Sequence, residues 1–287
     1  MRAEPLRYRA RKWAVQQVSD RLDRGTQLDR LETTEWDVVV VLDACRWDTL
    51  QEVTDWPVGK ARSPGSATAE WLAAVEESGV FEDAYIATGN ANYTFFDLGA
   101  AEMTPVWETD WNERLGTVLP EPVLDRADEF LTADRRPVVA HLMPPHAPYV
   151  ARIDDNWLPA YPRTDAWSHV GSEEATDDET TSAQVAMASG DIDLTRARQA
   201  YIASVRSAWE TLVTYVGDWV DRGLSVVVTA DHGEAFGHLR EFGLYGHPNR
   251  CHVRPLVEVP FERFSRPEVD DGVATSVEEK LDALGYA

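Results

Sequence analysis

Residues 36–48 read WDVVVVLDACRWD, an unbroken apolar run that ends on Asp43 and passes straight into polar residues. A strand with one wet face alternates apolar and polar residues, whereas a continuous run is buried on both faces, as in a parallel sheet covered by helices. PVVAHLM at Pro137–Met143 and LSVVVTA at Leu224–Ala230 have the same character, and shorter β-rich stretches lie at Ala84–Thr88 and Pro255–Val259. Between them, helical periodicity runs over Ala67–Glu77, Glu121–Leu131 and Leu194–Asp221; in the last, Tyr201, Val205, Ala208, Leu212, Tyr215, Val216 and Trp219 share one face. The alternation predicts an α/β fold, a three-layer α/β/α sandwich around a mostly parallel sheet.

The expected organisation is a single domain over residues 1–287, with a basic helix at 1–24 and an acidic, Ser/Thr-rich insertion at about 171–193 that reads as a mobile surface segment. The net charge of −23 arises from 50 Asp and Glu against 27 Lys and Arg, and only Lys12, Lys60 and Lys280 are lysines. Such a surface suits concentrated salt, where the Debye length falls to about 3 Å, so a halophilic source is expected. It lacks the basic stripe that nucleic acid requires. The basic N-terminal stretch has no apolar signal-peptide core and no later segment approaches ~18 uninterrupted apolar residues, so the expected location is cytoplasmic. As a helix, that stretch is either plainly solvated or an amphipathic contact for an anionic membrane surface. Cys45 and Cys251 define no disulfide framework, and a reduced interior fits them better.

In a parallel sheet the carboxyl ends of the strands share one edge, which is where such folds place ligands. Asp43 closes one apolar run, and Asp231-His232-Gly233-Glu234 follows another. Two carboxylates and an imidazole at one edge make a donor set for a divalent cation, with Gly233 expected to let the backbone turn tightly past the ion. Taken alone, Asp43 could equally cap the helix that follows.

With these elements in view, VVVVLDACRWD resembles the opening strand and D-x-x-R-x-D element of sulfatase-like proteins of the alkaline phosphatase superfamily, and TADHGEAFG resembles their second metal motif. SPGSATAEW at Ser63–Trp71, HAPY at His146–Tyr149 and the tail from Tyr245 to Pro260 follow in the order of that superfamily, here in a form suited to a haloarchaeal chain. The resemblance implies a nucleophile at the N-terminus of the first helix after the opening strand, Thr68 by best match and Ser66 as runner-up. It implies one divalent ion (Mn, Zn or Mg) held by Asp43, Thr68, Asp231 and His232, with room for a second. His146 and His247 stand where the family places a substrate-binding histidine, a leaving-group acid or ligands of that second metal. Arg46 and Arg250 offer forked donors to a tetrahedral oxyanion, although Arg46 could instead hold Asp43 in place. His141, His238 and His252 are assigned ordinary packing or surface roles, Cys45 a packing role, and the eleven Trp residues the role of core and loop anchors.

The chain departs from the sulfatase pattern in two places. No C/S-x-P-S-R sequence lies near residue 68, so no formylglycine can form there, and Ala44 replaces the second Asp of the sulfatase pair. A hydroxyl used directly points to phosphoryl chemistry. The expected activity is a metal-dependent phosphoric ester hydrolase or phosphotransferase acting on a small-molecule, glycan-linked or lipid-linked ester. The alternatives are a sulfuric ester hydrolase and a catalytically silent metal-binding or scaffold protein of the same fold.

Overall fold

A computed structural model describes residues 4–19, 26–161 and 183–266. The helices among them are α1 (Leu6–Ser19), α2 (Gln27–Thr33), α3 (Trp47–Val53), α4 (Thr68–Ser78), α5 (Pro120–Thr132), α6 (Ala183–Ser189), α7 (Leu194–Asp221) and α8 (Arg254–Val257). The main sheet consists of β1 (Val38–Leu42), β2 (Lys60–Arg62), β3 (Tyr85–Thr88), β4 (Glu102–Pro105), β5 (Val138–Leu142), β6 (Val226–Thr229) and β7 (Glu258–Phe264), in the order β2-β7-β6-β1-β5-β3-β4. Five neighbours, β6-β1-β5-β3-β4, are parallel, while β7 runs antiparallel to both β6 and β2.

The apolar runs form the centre of this sheet. Val38 pairs with Val226 on one side and Val138 on the other, and every residue of β1, β5 and β6 is buried. Burial of every strand position requires cover on both faces, and the helices supply it. Trp71, Leu72 and Val75 of α4 and Trp209, Leu212 and Val216 of α7 join the strand valines in one continuous core. The fold class is therefore the one expected: an α/β sandwich on a mostly parallel sheet.

Three local readings change. The stretch Pro255–Val259 is not a strand from its start: Pro255 sits in the first turn of α8, where its missing N–H costs nothing, and extended pairing begins at Glu258. Of the acidic insertion, residues 171–182 lie outside the described residues, while 183–189 form α6, which buries Ala186 and Met187. Of the basic N-terminal helix, residues 1–3 and 20–24 lie outside the described residues. The part that forms α1 is not merely solvated, because Tyr8, Val15 and Ser19 turn inward and the first two pack against Leu244, Cys251 and Val253.

Candidate active site

The parallel strands bring Asp43, at the end of β1, and Asp231-His232, just beyond β6, to the same edge of the sheet. Asp43 Oδ2 accepts a 2.6 Å hydrogen bond from Asn90 Nδ2, while its Oδ1 is buried with no hydrogen-bond partner. Asp231 Oδ1 accepts from the backbone N–H groups of Ala44 (3.0 Å) and His232 (2.8 Å), which leaves Oδ2 facing its neighbours. Ala44 reaches Asp231 by adopting φ 60°, a left-handed conformation unusual for a residue with a Cβ. The Ser63 hydroxyl donates to the Asp231 carbonyl and ties the loop before α4 to the end of β6.

Thr68 meets this pair from α4. The N-cap of α4 is Ala67, and no side chain caps the helix, so the Thr68 hydroxyl is not spent on capping. It donates to Asp231 Oδ2 at 2.7 Å and lies 3.2 Å from His232 Nε2. His232 is oriented in turn by its Nδ1, which donates to the Gly233 carbonyl at 2.8 Å and so leaves Nε2 as a lone-pair donor 3.6 Å from Asp43 Oδ1 and 3.4 Å from Asp231 Oδ2. Gly233 is required for a different reason from the one expected. A Cβ there would stand 2.0 Å from the Pro255 carbonyl oxygen, so the glycine admits α8 rather than a tight turn.

Burial and the nearby charge of Asp231 push the Asp43 carboxyl well above its usual range, and the Asn90 hydrogen bond only partly opposes this. Burial and the neighbouring His247 drive His232 well below the ordinary imidazole value. Two buried carboxylates that repel, an orphaned carboxylate oxygen and a neutral imidazole with a free Nε2 form a site that a divalent cation would satisfy. The single-ligand atoms of Asp43, Asp231 and His232 lie within 4.8 Å of one another, and the residues present therefore fit the ion.

His146 and His247 complete a row of neighbouring, mutually tilted rings: their centroids are 4.9 Å apart, and His247 lies 4.6 Å from His232. Their environments differ. His146 is half-buried in the cleft wall, where desolvation lowers it to about 4, and its Nδ1 donates to the Ala147 carbonyl at 2.6 Å. Burial also opposes charge on His247, but Glu234 Oε2, 3.2 Å from its Nδ1, outweighs burial and raises it.

The other expected site residues are placed elsewhere. Ser66 is fully buried; its hydroxyl donates to Glu70 Oε2 (3.0 Å) or the Pro248 carbonyl (2.9 Å) and accepts the Cys251 N–H (3.0 Å), which makes it an anchor for the loop carrying His247. Arg46 does not face a substrate. Its guanidinium makes a forked pair with Asp48 and a 2.6 Å bond to buried Glu241, because the turn after β1 points it toward the 234–241 segment. Arg250 occupies a left-handed turn with φ 59°, and its N–H donates to Glu70, behind the cleft wall formed by Pro248 and Asn249.

Sequence reasoning missed several neighbours. His141, assigned to packing, stands at the end of β5 with its Nδ1 2.9 Å from Tyr93 Oη and its Nε2 3.8 Å from both Asp43 and Asp231. Asn90 follows the end of β3, so the strand-end argument that singled out Asp43 would have found it. Glu234 lies inside the quoted motif, but its pairing with His247 crosses 13 residues and carried no signal. His252 pairs with Glu70 at 2.7 Å, and His238 opens the 239–241 turn, as ordinary structural residues do.

These groups open into a cleft of about 1470 Å³ lined by Asp43, Thr68, Ala69, His146 and His247 on one side and by Trp107, Glu108 and Trp111 on another. Lys12 and Gln16 of α1 also form part of its wall.

No protein-family model matches the sequence, and none of the curated proteins does. Among solved structures, the chain is similar to the soluble domain of lipooligosaccharide phosphoethanolamine transferase A from Neisseria meningitidis, at 16% identity and a TM-score of 0.52, covering 78% of this chain and 74% of that one. It is also similar to the integral membrane protein of that name, at 15% identity and a TM-score of 0.50, covering 78% of this chain and 46% of that one. At such identities the likeness establishes the fold, which is alkaline-phosphatase-like.

Proposed function

We propose that the chain is a metal-dependent phosphoester transferase or hydrolase in which Thr68 is the nucleophile. The observation that carries this reading is the Thr68 hydroxyl itself: it starts a helix without capping it and is instead held between Asp231 and His232. Asp43, Thr68, Asp231 and His232 would hold the ion, which, when bound, lowers the pKa of a coordinated hydroxyl and neutralises phosphoryl oxygens.

The protein groups divide the remaining work. Thr68 Oγ1, oriented by Asp231 Oδ2 at 2.7 Å, releases its proton to solvent in the cleft as that oxygen attacks phosphorus. Thr68 and Ala69, the first residues of α4, line the cleft at the positive end of the helix, which favours an anionic ester. The bond from phosphorus to the leaving alcohol breaks as His247, whose protonated form Glu234 favours, gives its proton to the departing oxygen. His146 is neutral, and its Nδ1–H is committed to Ala147, so its Nε2 accepts the proton of the water or acceptor alcohol that releases the phosphoryl group from Thr68. Environments that push two histidines apart in pKa assign one as acid and one as base.

Trp107 and Trp111 beside Glu108 offer aromatic faces and a carboxylate to the other half of the ester, a setting that suits a cationic alcohol. Phosphoethanolamine, named for the Neisseria proteins, has that chemistry. The absence of a formylglycine motif at Thr68 argues against the sulfatase alternative.

The test is turnover of bis-p-nitrophenyl phosphate, p-nitrophenyl phosphate and p-nitrophenyl sulfate in high salt with Mn, Zn or Mg, for wild type and Asp231→Asn. Metal-dependent phosphate ester turnover that Asp231→Asn loses supports the reading. Faster sulfate turnover would make the protein a sulfatase, and stoichiometric metal binding without turnover of any ester, including an aminoalkyl phosphoester, would make it a silent binding protein.

A further inference from the structure

Of the eight large apolar side chains exposed among the described residues, five belong to two neighbouring segments: Leu6, Trp13 and Val18 of α1, and Leu239 and Phe242 of the turn beside it. Arg11 Nη1 joins the segments through a 3.2 Å bond to the Gly243 carbonyl. Leu239 is 97% exposed and Trp13 63%, so neither is covered by the protein around it.

At about 100° per residue, α1 presents four distinct sides. Tyr8, Val15 and Ser19 point inward. Leu6 and Trp13, seven residues apart, point outward. Lys12 and Gln16 flank the active-site cleft, and Arg11, Ala14 and Val18 flank a second groove of about 1280 Å³ floored by Val15 and Val253 and rimmed by Leu239 and Phe242. One helix is therefore the wall between the catalytic cleft and an exposed apolar groove.

The charge of this face is opposite to that of the whole molecule. The chain carries −23, yet Leu6–Ser19 contains Arg7, Arg9, Arg11 and Lys12 and no carboxylate. The groove is lined by Arg11, Arg62, Arg240 and Arg254, with neither Asp nor Glu among its lining residues. Exposed Trp and Leu among arginines is the composition of a helix that lies in a membrane interface, with long cationic side chains reaching phosphates while apolar ones enter the headgroup layer. A second copy using the same face would set arginine against arginine, which disfavours self-pairing.

We propose that α1 and the Leu239–Phe242 turn form a docking surface for a bilayer carrying anionic phospholipids. Leu6, Trp13, Leu239 and Phe242 enter the headgroup region, and Arg7, Arg9, Arg11 and Arg240 bind lipid phosphates. The cleft wall formed by Lys12 and Gln16 is then held at the membrane surface. That the docked cleft acts on a membrane-borne phosphoester rests on the function proposed above; the docking itself does not.

The experiment is flotation of the full chain with vesicles of phosphatidylcholine alone or mixed with phosphatidylglycerol in equal parts, at low and at high salt. The expected result is binding to the mixed vesicles that weakens with salt, falls at least tenfold in Trp13→Ala/Leu239→Ala, and becomes weaker and less salt-dependent in Arg7→Ser/Arg9→Ser. These positions are exposed and outside the catalytic machinery, so turnover of a soluble ester stays unchanged and separates failure of docking from failure of the enzyme reading. Absence of binding to both vesicle types overturns the proposal. Equal binding to neutral vesicles also overturns it, because the arginines would then not be reading lipid charge. Vesicle-free dimerisation abolished by Trp13→Ala/Leu239→Ala replaces it with a self-association face.

Discussion

The pair Thr68→Ala and Ser66→Ala separates chemistry from scaffolding at two hydroxyls only two residues apart. Thr68 touches Asp231 and His232 and supports no backbone group, so its removal leaves the fold nearly unchanged. Loss of a nucleophile costs at least about four orders of magnitude in kcat, or roughly 5.5 kcal/mol at 1.36 kcal/mol per tenfold. Three donors remain, so the variant still binds the ion. Ser66→Ala does the opposite. It strands the buried Cys251 N–H and the Pro248 carbonyl, a penalty of about 2 kcal/mol, which corresponds to a Tm lower by about 5 °C in a chain of this size. Its kcat falls by less than tenfold. The assay is metal-saturated turnover of a phosphodiester beside a thermal melt for each variant. Thr68→Ala retaining activity within tenfold of wild type, or Ser66→Ala losing activity without losing stability, would refute the assignment of the nucleophile.

The remaining predictions concern pH, metal and the acid. Glu234 raises His247, and without it burial is opposed only by the smaller effect of Asp231, so Glu234→Gln moves the alkaline limb of the kcat profile to lower pH; an unmoved limb means another group supplies the proton. Burial works against ionisation of Glu70, but His252 and the N–H groups of Ser66 and Arg250 outweigh it and hold the carboxyl at about 2 against 4.5 when unfolded. Its stabilisation is therefore complete above pH 4.5 and is lost as pH falls toward 2; after solvent screening it amounts to about 2 kcal/mol, which Glu70→Gln removes at neutral pH in a melt series. Zinc or manganese at about a hundredfold over its Kd adds roughly 2.7 kcal/mol and raises Tm by several degrees. Because Asp43 and Asp231 repel in a buried site, Asp43→Asn raises Tm in chelator while shrinking the metal-dependent increase through loss of one anionic donor.

The parts of this molecule that the sequence disclosed are those governed by local pattern. Fully buried strands read as apolar runs, and the amphipathic stripe of α7 placed its ends at Leu194 and Asp221. Asp43 and Asp231-His232 could be placed at one edge because parallel strands leave no other arrangement. The chain ends of the logic were pairings across long separations. Arg46 looked like an oxyanion ligand until Glu241, 195 residues away, accepted it, and Ser66 looked like a second nucleophile until Pro248 and Cys251 closed on it. His141 failed for the converse reason: inside an apolar strand it reads as packing, and only the register of β5 beside β1 sets it against two carboxylates. Pro255 misled the β7 boundary because proline is tolerated both at strand edges and in first helical turns.

Among the described residues, side-chain hydrogen bonds from four residues of α1 end on one short loop. Tyr8 reaches the Tyr245 carbonyl, Arg11 that of Gly243 and Gln16 that of Asn249, while the Ser19 hydroxyl receives the His252 N–H. The apolar residues beneath, Tyr8 and Val15 with Leu244, Cys251 and Val253, form a cluster separate from the core under the sheet. Helix and loop are thus a single cooperative unit in the sense of native-state hydrogen exchange, able to open together at a free energy below that of global unfolding. Amides of 243–252 should exchange in step with those of α1 and well ahead of those in β1, and Tyr8→Phe should accelerate both segments equally. His247 rides on that loop, so the opening rate of α1 sets an upper bound on how long the proton donor stays in register with Thr68.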